Sequence, residues 1–325
     1  MKKFVTILVV LSLVVTVVPS FAQSQPADEA EANKQLVIDF IDVVFNQADV
    51  ERAAEFASAD YIQNTGMPSG LEVLQGSILG LHTAFPDIQY TLFDIASEGD
   101  LVAARLVITG TQEGDFMGIP ATGNPVAAAT INFWRVEDGL LAEHWEVVDQ
   151  FSFLGQLGVI PGGADAPALE NFGLPYAEQE SAEPESDTEA TREVVERLYT
   201  DVLNARDVDA AAELIADDYV WYSPFVAPGL EGFQQFYLGI FDAFPDVQRE
   251  IVLEVVENDK AFVLSTITGT HQGGEQLYGI PPTGNPIEYA SADIFRVANG
   301  QIVEQWDVGD YVTLFTQIGL IPPMQ

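Results

Sequence analysis

Along each half of the chain the spacing of apolar residues switches once, from helical to strand-like. Leu36, Val37, Phe40, Ile41 and Val44 recur three and four apart, the spacing of one helix face. A second helix is expected from Asp49, whose side chain can cap it. A third runs from about Leu71 to the stop at Phe85-Pro86. Beyond that point the period becomes two. Strands are expected over Ile88–Ile95, Leu101–Thr111, Val126–Val136 and Leu140–Val148, separated by Gly, Pro and Asp-Gly turns. Helices followed by an antiparallel sheet that they cover make an α+β domain.

The same order occurs twice. Phe45-Asn-Gln-Ala-Asp-Val50 returns as Leu203-Asn-Ala-Arg-Asp-Val208, and Asp60-Tyr61 returns as Asp218-Tyr219. Ala84-Phe-Pro-Asp87 returns as Ala243-Phe-Pro-Asp246, and Gly118-Ile-Pro-Ala-Thr-Gly-Asn-Pro125 as Gly279-Ile-Pro-Pro-Thr-Gly-Asn-Pro286. Glu143-His-Trp-Glu-Val-Val-Asp149 returns as Glu304-Gln-Trp-Asp-Val-Gly-Asp310. Repetition in a fixed order marks a duplication. Copy one is placed at 30–161 and copy two at 188–323, each of single-domain size. Between them, residues 162–187 form an acidic linker rich in Pro and Gly, in which Phe172, Leu174 and Tyr176 are candidates for local docking.

Met1–Ala22 has the basic start, apolar stretch and Ser20-Phe21-Ala22 ending of a cleaved secretory signal, so a secreted or periplasmic protein is expected. An uncleaved anchor is the rival reading, since the apolar stretch approaches the length that spans a bilayer. Either way the copies face an oxidising compartment, yet the chain has no cysteine, which excludes thiol catalysis and thiolate metal sites. The net charge of −38 argues against nucleic acid or an anionic membrane surface as a partner. Its plain reading is a solvated surface; a saline habitat is the sharper one. The three histidines, His82, His144 and His271, are scattered, so no metal site and no cofactor is expected.

With these motifs in place, each copy resembles the SnoaL-like polyketide cyclase and ester cyclase family of the nuclear-transport-factor-two-like superfamily. The resemblance rests on Gly118–Pro125, Phe133-Trp-Arg-Val136, Asp138-Gly139 and Glu143-His-Trp145, repeated at Gly279–Pro286, Phe295-Arg-Val297 and Glu304-Gln-Trp306. It implies two cone-shaped domains, each a curved antiparallel sheet closed by helices around a pocket. Because family members are commonly dimers, it also implies an intrachain pseudo-dimer of the two copies.

Candidate chemistry lies on the last two strands. Alternation places His144 and Glu146 on one face and Trp145 and Val147 on the other; Gln305 and Asp307 match the first pair. Trp145 and Trp306 read as packing residues. A three-residue turn at Glu137-Asp138-Gly139 puts Asn132 opposite His144 and diagonal to Glu146, with Asp293, Gln305 and Asp307 equivalent; a two-residue turn breaks that register. By resemblance, an aspartate in the His-Trp-Asp position acts as acid and base in ring closure. That position is Asp307 in copy two and Glu146 in copy one, and the neighbouring histidine position of the family is Asp293 and Asn132. The catalytic candidates are therefore Asp307, Asp293 and Glu146. Ligand-binding candidates are Asn132, His144, Gln305, Asn64 and Tyr222.

Two carboxylates close together in an apolar cavity do not both ionise easily, so one can hold a proton while the other abstracts one. Three functions follow. One is cofactor-free cyclisation or isomerisation of a small hydrophobic carbonyl compound; another is binding of an apolar small molecule without conversion; the third is a structural or interaction role.

Overall fold

The computed structural model of the chain describes residues 26–64, 68–160, 165–179, 184–223, 226–274 and 279–322. The expected signal, Met1–Ala22, lies outside them. Copy one begins with α1 (Pro26–Phe40), which widens into a π-type segment at Ile41–Asn46. A short 3-10 turn follows at Val50–Glu55, and Asp49 makes no side-chain capping bond there, contrary to expectation. Next come β1 (Ala57–Gln63), α2 (Leu71–Ala84), β2 (Gln89–Glu98), β3 (Leu101–Thr111), β4 (Pro125–Glu137), β5 (Leu140–Val148) and α3 (Gln150–Gln156).

Copy two repeats this series. It has α4 (Thr188–Arg197) with a π-type extension at Leu198–Asn204, α5 (Ala211–Leu214), β6 (Ile215–Trp221) and α6 (Gly229–Ala243). Then follow β7 (Gln248–Glu257), β8 (Lys260–Thr270), β9 (Pro286–Ala298), β10 (Gln301–Gly309) and α7 (Tyr311–Gln317). Each copy is an α+β unit with a five-stranded sheet, ordered β1-β5-β4-β3-β2 and β6-β10-β9-β8-β7. Four strands are antiparallel. The fifth, β1 or β6, adds to the edge in parallel, and its mixed pattern of buried and exposed residues concealed it in the sequence.

The hairpin that carries the candidate residues turns in two residues. Asp138 and Gly139 have φ of 53° and 76°, and Asn299 and Gly300 have 52° and 76°, the left-handed pair of a type I′ turn. The expected three-residue turn is thus corrected. A bulge follows in β5, because Val136 pairs with Leu141 but Arg135 pairs with Glu143. That extra residue restores the alternation, and it sets Asn132 opposite Glu146 and Trp134 opposite His144. In copy two the same bulge sets Asp293 directly opposite Asp307. The two candidates expected to lie diagonally are therefore nearest neighbours across the strands.

Each sheet has one face against its own helices. In copy one Val102, Ala104, Leu106 and Trp134 pack there on Val37, Phe40, Val44 and Ile78. The other faces of the two sheets meet in one apolar layer, where Ala103, Ile131, Phe133 and Val147 pack with Phe262, Leu264, Ile294 and Val308. Trp145 and Trp306 pack against this layer. Its rim carries reciprocal bonds: the Ser97 amide donates to Glu257 Oε2 and the Val256 amide to Glu98 Oε2, both at 3.0 Å. Lys34 pairs with Glu257, and Arg192 with Glu98 and Glu254.

One contact breaks the symmetry. Asp94, 3% exposed, takes Arg105 at 2.7 Å and Lys260 of the other copy. Arg105 also lies over the rings of Phe93 and Trp306, at 5.0 and 5.1 Å. Of the connecting segment, Phe172 docks on Phe93 and its carbonyl accepts from Arg105, whereas Leu174 and Tyr176 are exposed.

Candidate functional site

The helix-covered face of copy two holds a hydrogen-bonded group of acids, aromatic residues and one arginine. Asp293 and Asp307 face each other from β9 and β10. Asp293, 2% exposed, accepts from Gln305 Nε2 at 2.7 Å and from the Tyr199 hydroxyl at 3.2 Å. Gln305 is held in turn by the Tyr219 hydroxyl, which donates to its Oε1. Asp307 is half-buried and accepts from Trp221 Nε1 on one oxygen and from the Tyr311 hydroxyl, at 3.0 Å, on the other. Tyr311 reaches back over β10 because residue 309 is glycine: a Cβ there would sit 2.8 Å from the ring. Asp310 caps the helix that carries Tyr311, its Oδ1 accepting from the Thr313 amide at 3.0 Å.

Arg249 enters from β7. Its backbone is fixed by Asn204, whose amide donates to the Arg249 carbonyl at 2.9 Å and whose Oδ1 accepts from the Arg249 amide at 2.7 Å. The duplicated Asn46 makes the same pair with Tyr90, so the repeated asparagine locks the wide turn after the first helix onto the sheet in both copies. The guanidinium lies over the Tyr237 ring at 5.6 Å and 3.7 Å from Asp293 Oδ2.

Burial and the facing charge of Asp293 push the Asp307 carboxyl up to about 6. Asp293 also moves up through burial, opposed by Arg249 and by its own donors. Burial opposes the charge on Arg249, but Tyr237, Asp293, Tyr289 and Tyr199 around it outweigh burial and keep it a cation. Asp307, a carboxyl that changes charge near neutrality with Asp293 opposite it and the Arg249 cation beside that pair, can accept and return a proton.

Copy one is built differently at the same positions. The Asn132 amide donates to Thr130 Oγ1 at 3.2 Å, and Asn132 Oδ1 meets His144 Nε2 at 2.9 Å. Thr130 donates to Glu146 at 2.9 Å. His144 lies between Trp134 and Tyr61, and burial lowers its pKa to about 3, so it is neutral. Glu146 is half-buried and pushed up by burial, opposed by the Thr130 hydroxyl. Matched positions show how the walls differ: Ile41, Ile78, Tyr90, Ala128 and Gln150 stand where copy two has Tyr199, Tyr237, Arg249, Tyr289 and Tyr311.

The structure brings Asp307, Asp293 and Gln305 together in one copy and Glu146, Asn132 and His144 together in the other. Asn64 and Tyr222 are not with them, and their assignment is corrected. Asn64 donates to Glu143, and Tyr222 bonds Glu304 and stacks on Trp306 at 4.7 Å, so both follow the residues that alternate to the opposite face. Arg249, Tyr199, Trp221, Tyr237, Tyr289 and Tyr311 were missed. A position-by-position comparison of the copies is the signal that exposes them, since at three of these six sites a tyrosine replaces isoleucine or alanine and at a fourth an arginine replaces tyrosine. Among the described residues no three His, Asp or Glu side chains gather where a metal ion could be held.

This fold and this duplicated site define the class, and the chain belongs to the SnoaL-like polyketide cyclase family, whose profile matches residues 35–157 and 193–318. Among named relatives, the aklanonic acid methyl ester cyclase DnrD of Streptomyces peucetius is 27% identical over 121 residues, covering 35% of this chain and 83% of its own. Two solved structures are similar. TsrD from Streptomyces laurentii is 29% identical, covers 40% of this chain and 97% of its own, and has a TM-score of 0.38. IdmH from Streptomyces antibioticus, described as a putative polyketide cyclase, is 33% identical, covers 39% and 99%, and has a TM-score of 0.36.

Proposed function

We propose that copy two catalyses a cofactor-free acid–base cyclisation or isomerisation of a small hydrophobic carbonyl compound, on an exported protein in which copy one binds ligand or supports its neighbour. The observation that carries this reading is the pairing of Asp307 with Asp293 across β9 and β10, each carboxylate anchored by its own donors. Asp307, ionised above a pKa of about 6, removes a proton from carbon next to a carbonyl. The carbanion attacks a second carbonyl carbon of the same molecule, a carbon–carbon bond forms, and the resulting alkoxide takes the proton back from Asp307. No electron or group is left over. Asp293 stays charged beside Arg249 and keeps Asp307 basic enough for the task.

In copy one a specific observation favours binding without conversion. Its histidine is neutral, its carboxyl has no facing acid, and much of the corresponding wall is apolar. The test uses aklanonic acid methyl ester, the compound in the name of the relative, as a probe. Small molecules carried through purification, identified by mass spectrometry, extend the set. Asp307→Asn keeps the shape and removes the ionisable group, and it is expected to lower turnover by at least about 100-fold, while Glu146→Gln costs far less. Activity lost in Glu146→Gln and intact in Asp307→Asn would assign the chemistry to copy one.

A further inference from the structure

Arg249 has more donors than the protein uses. Its guanidinium makes no hydrogen bond to any described residue, and its one ion pair, to Asp293, is long at 3.7 Å. A guanidinium carries five N–H donors in a rigid plane, and withdrawing it from water without partners is costly. The side chain is nonetheless only 12% exposed. Two hydroxyls beside it are in the same condition. Tyr237, on α6 and 2% exposed, has its ring under the guanidinium, and Tyr289, on β9 and half-buried, has its ring 6.4 Å from that of Tyr311, whose hydroxyl bonds Asp307. Neither hydroxyl bonds a described residue, whereas those of Tyr199, Tyr219 and Tyr311 each do. Three unused donors, one of them a cation, thus belong to the cluster that holds Asp293 and Asp307. In copy one Ile78 and Ala128 replace the two tyrosines, and Tyr90, a neutral hydroxyl, stands where copy two has the cation.

We propose that Arg249, Tyr237 and Tyr289 form a receptor for a carbonyl oxygen that becomes anionic, so that copy two binds an enolate and copy one does not. This inference rests on the base role proposed for Asp307. When Asp307 removes the proton, the electron pair of the broken C–H bond moves into the C–C bond and the carbonyl π pair moves onto oxygen. That oxygen then carries a full charge. Preorganised donors aimed at such a charge in a water-poor site are among the largest contributions to catalysis, and loss of one donor costs about 100- to 1,000-fold. The protein field works against an anion here, because Asp293 and Asp307 face the same space. Only a local cation overcomes it, and among the described residues Arg249 is the cation that meets Asp293.

The probe is benzoylacetone, a 1,3-diketone whose enolate is distinguished from its neutral forms by ultraviolet absorption; butyrophenone, with a single carbonyl, is the control. Titrations use the full chain. The Asp307→Asn background removes both turnover and the repulsion between Asp307 and a bound anion. Saturable appearance of the enolate spectrum is expected in that background, with affinity at least about tenfold weaker when Arg249→Gln is added, the loss of one charge-assisted contact. Tyr237→Phe and Tyr289→Phe are each expected to weaken enolate binding several-fold and to leave butyrophenone unchanged. Tyr90→Phe in copy one is expected to change neither. If Arg249→Gln does not fold, Arg249→Lys reports in its place: the charge remains, the planar fork is lost, and binding is expected to fall between the two. Absence of the enolate band, or a band indifferent to Arg249, Tyr237 and Tyr289, overturns the receptor. Enolate binding that persists while Asp307→Asn leaves turnover intact instead overturns the base assignment and keeps the receptor.

Discussion

Replacing Asp307 by Asn is expected to make the folded protein more stable at neutral pH. In the folded chain the Asp307 carboxyl holds its proton up to about pH 6, against an ordinary value of 3.8. Between those values the folded state binds more protons than the unfolded state, so stability falls as pH rises through this window, and the full cost persists above it. A displacement of about two units corresponds to roughly 3 kcal/mol, at about 1.36 kcal/mol per unit. The amide keeps part of the burial cost, and the Tyr311 hydroxyl must turn from donor to acceptor. About half of the gain, ~1.5 kcal/mol, is therefore expected, which raises the melting temperature by about 2 °C for a chain of 325 residues unfolding as one unit. Scanning calorimetry of the parent and Asp307→Asn at pH 8 and pH 3.5 measures it, with the exposed Asp218→Asn as control. The difference should be present at pH 8 and shrink at pH 3.5. A variant less stable at pH 8, or a difference that does not change with pH, refutes the reasoning.

Other outcomes follow from the same contacts. The pH profile of kcat/KM should rise through an apparent pKa near 6 and move to lower pH in Asp293→Asn, because the facing negative charge that holds Asp307 up is gone. Buried neutral His144, depressed to about 3, takes up a proton on unfolding, so its contribution is present above its ordinary pKa of 6.5 and lost as pH falls toward 3; His144→Gln, the residue copy two uses there, should raise the melting temperature at pH 4–5 and change it little at pH 8. Asp94→Leu leaves Arg105 and Lys260 without their carboxylate and should cost about 3–5 kcal/mol in denaturant melts, while Asp94→Leu with Arg105→Leu, matching Leu253 and Leu264 of copy two, should recover part of that loss. Limited proteolysis should nick first within residues 162–187, and a first cut inside copy one would contradict that boundary.

Much of this architecture was legible because periodicity survives in the sequence. β3 and β5 begin and end where the alternation of apolar residues says, and α2 stops at the Phe85-Pro86 boundary. The parallel edge strands were not legible, since Ala57–Gln63 is held by strand pairing and has no clean alternation of its own. The candidate pair was found, but its register was not. Asp138-Gly139 announces a two-residue turn, yet the bulge that follows it has no sequence mark, and only the sum of the two places Asp293 opposite Asp307. Arg249 escaped for another reason: it is one cation between the exposed Gln248 and Glu250, and its burial depends on the distant Asn204 and Tyr237.

The apolar layer between the two sheets has a genetic consequence. In an assembly of identical subunits every substitution is made at each site at once, so a residue that improves one cavity and spoils its twin has no net advantage. Here the two sheets meet within a single polypeptide, and Trp306 can rest on Arg105 without a counterpart having to do the same. One wall can thus carry an arginine and several tyrosines while the other carries isoleucine and alanine. The shared layer preserved the packing on which both depend.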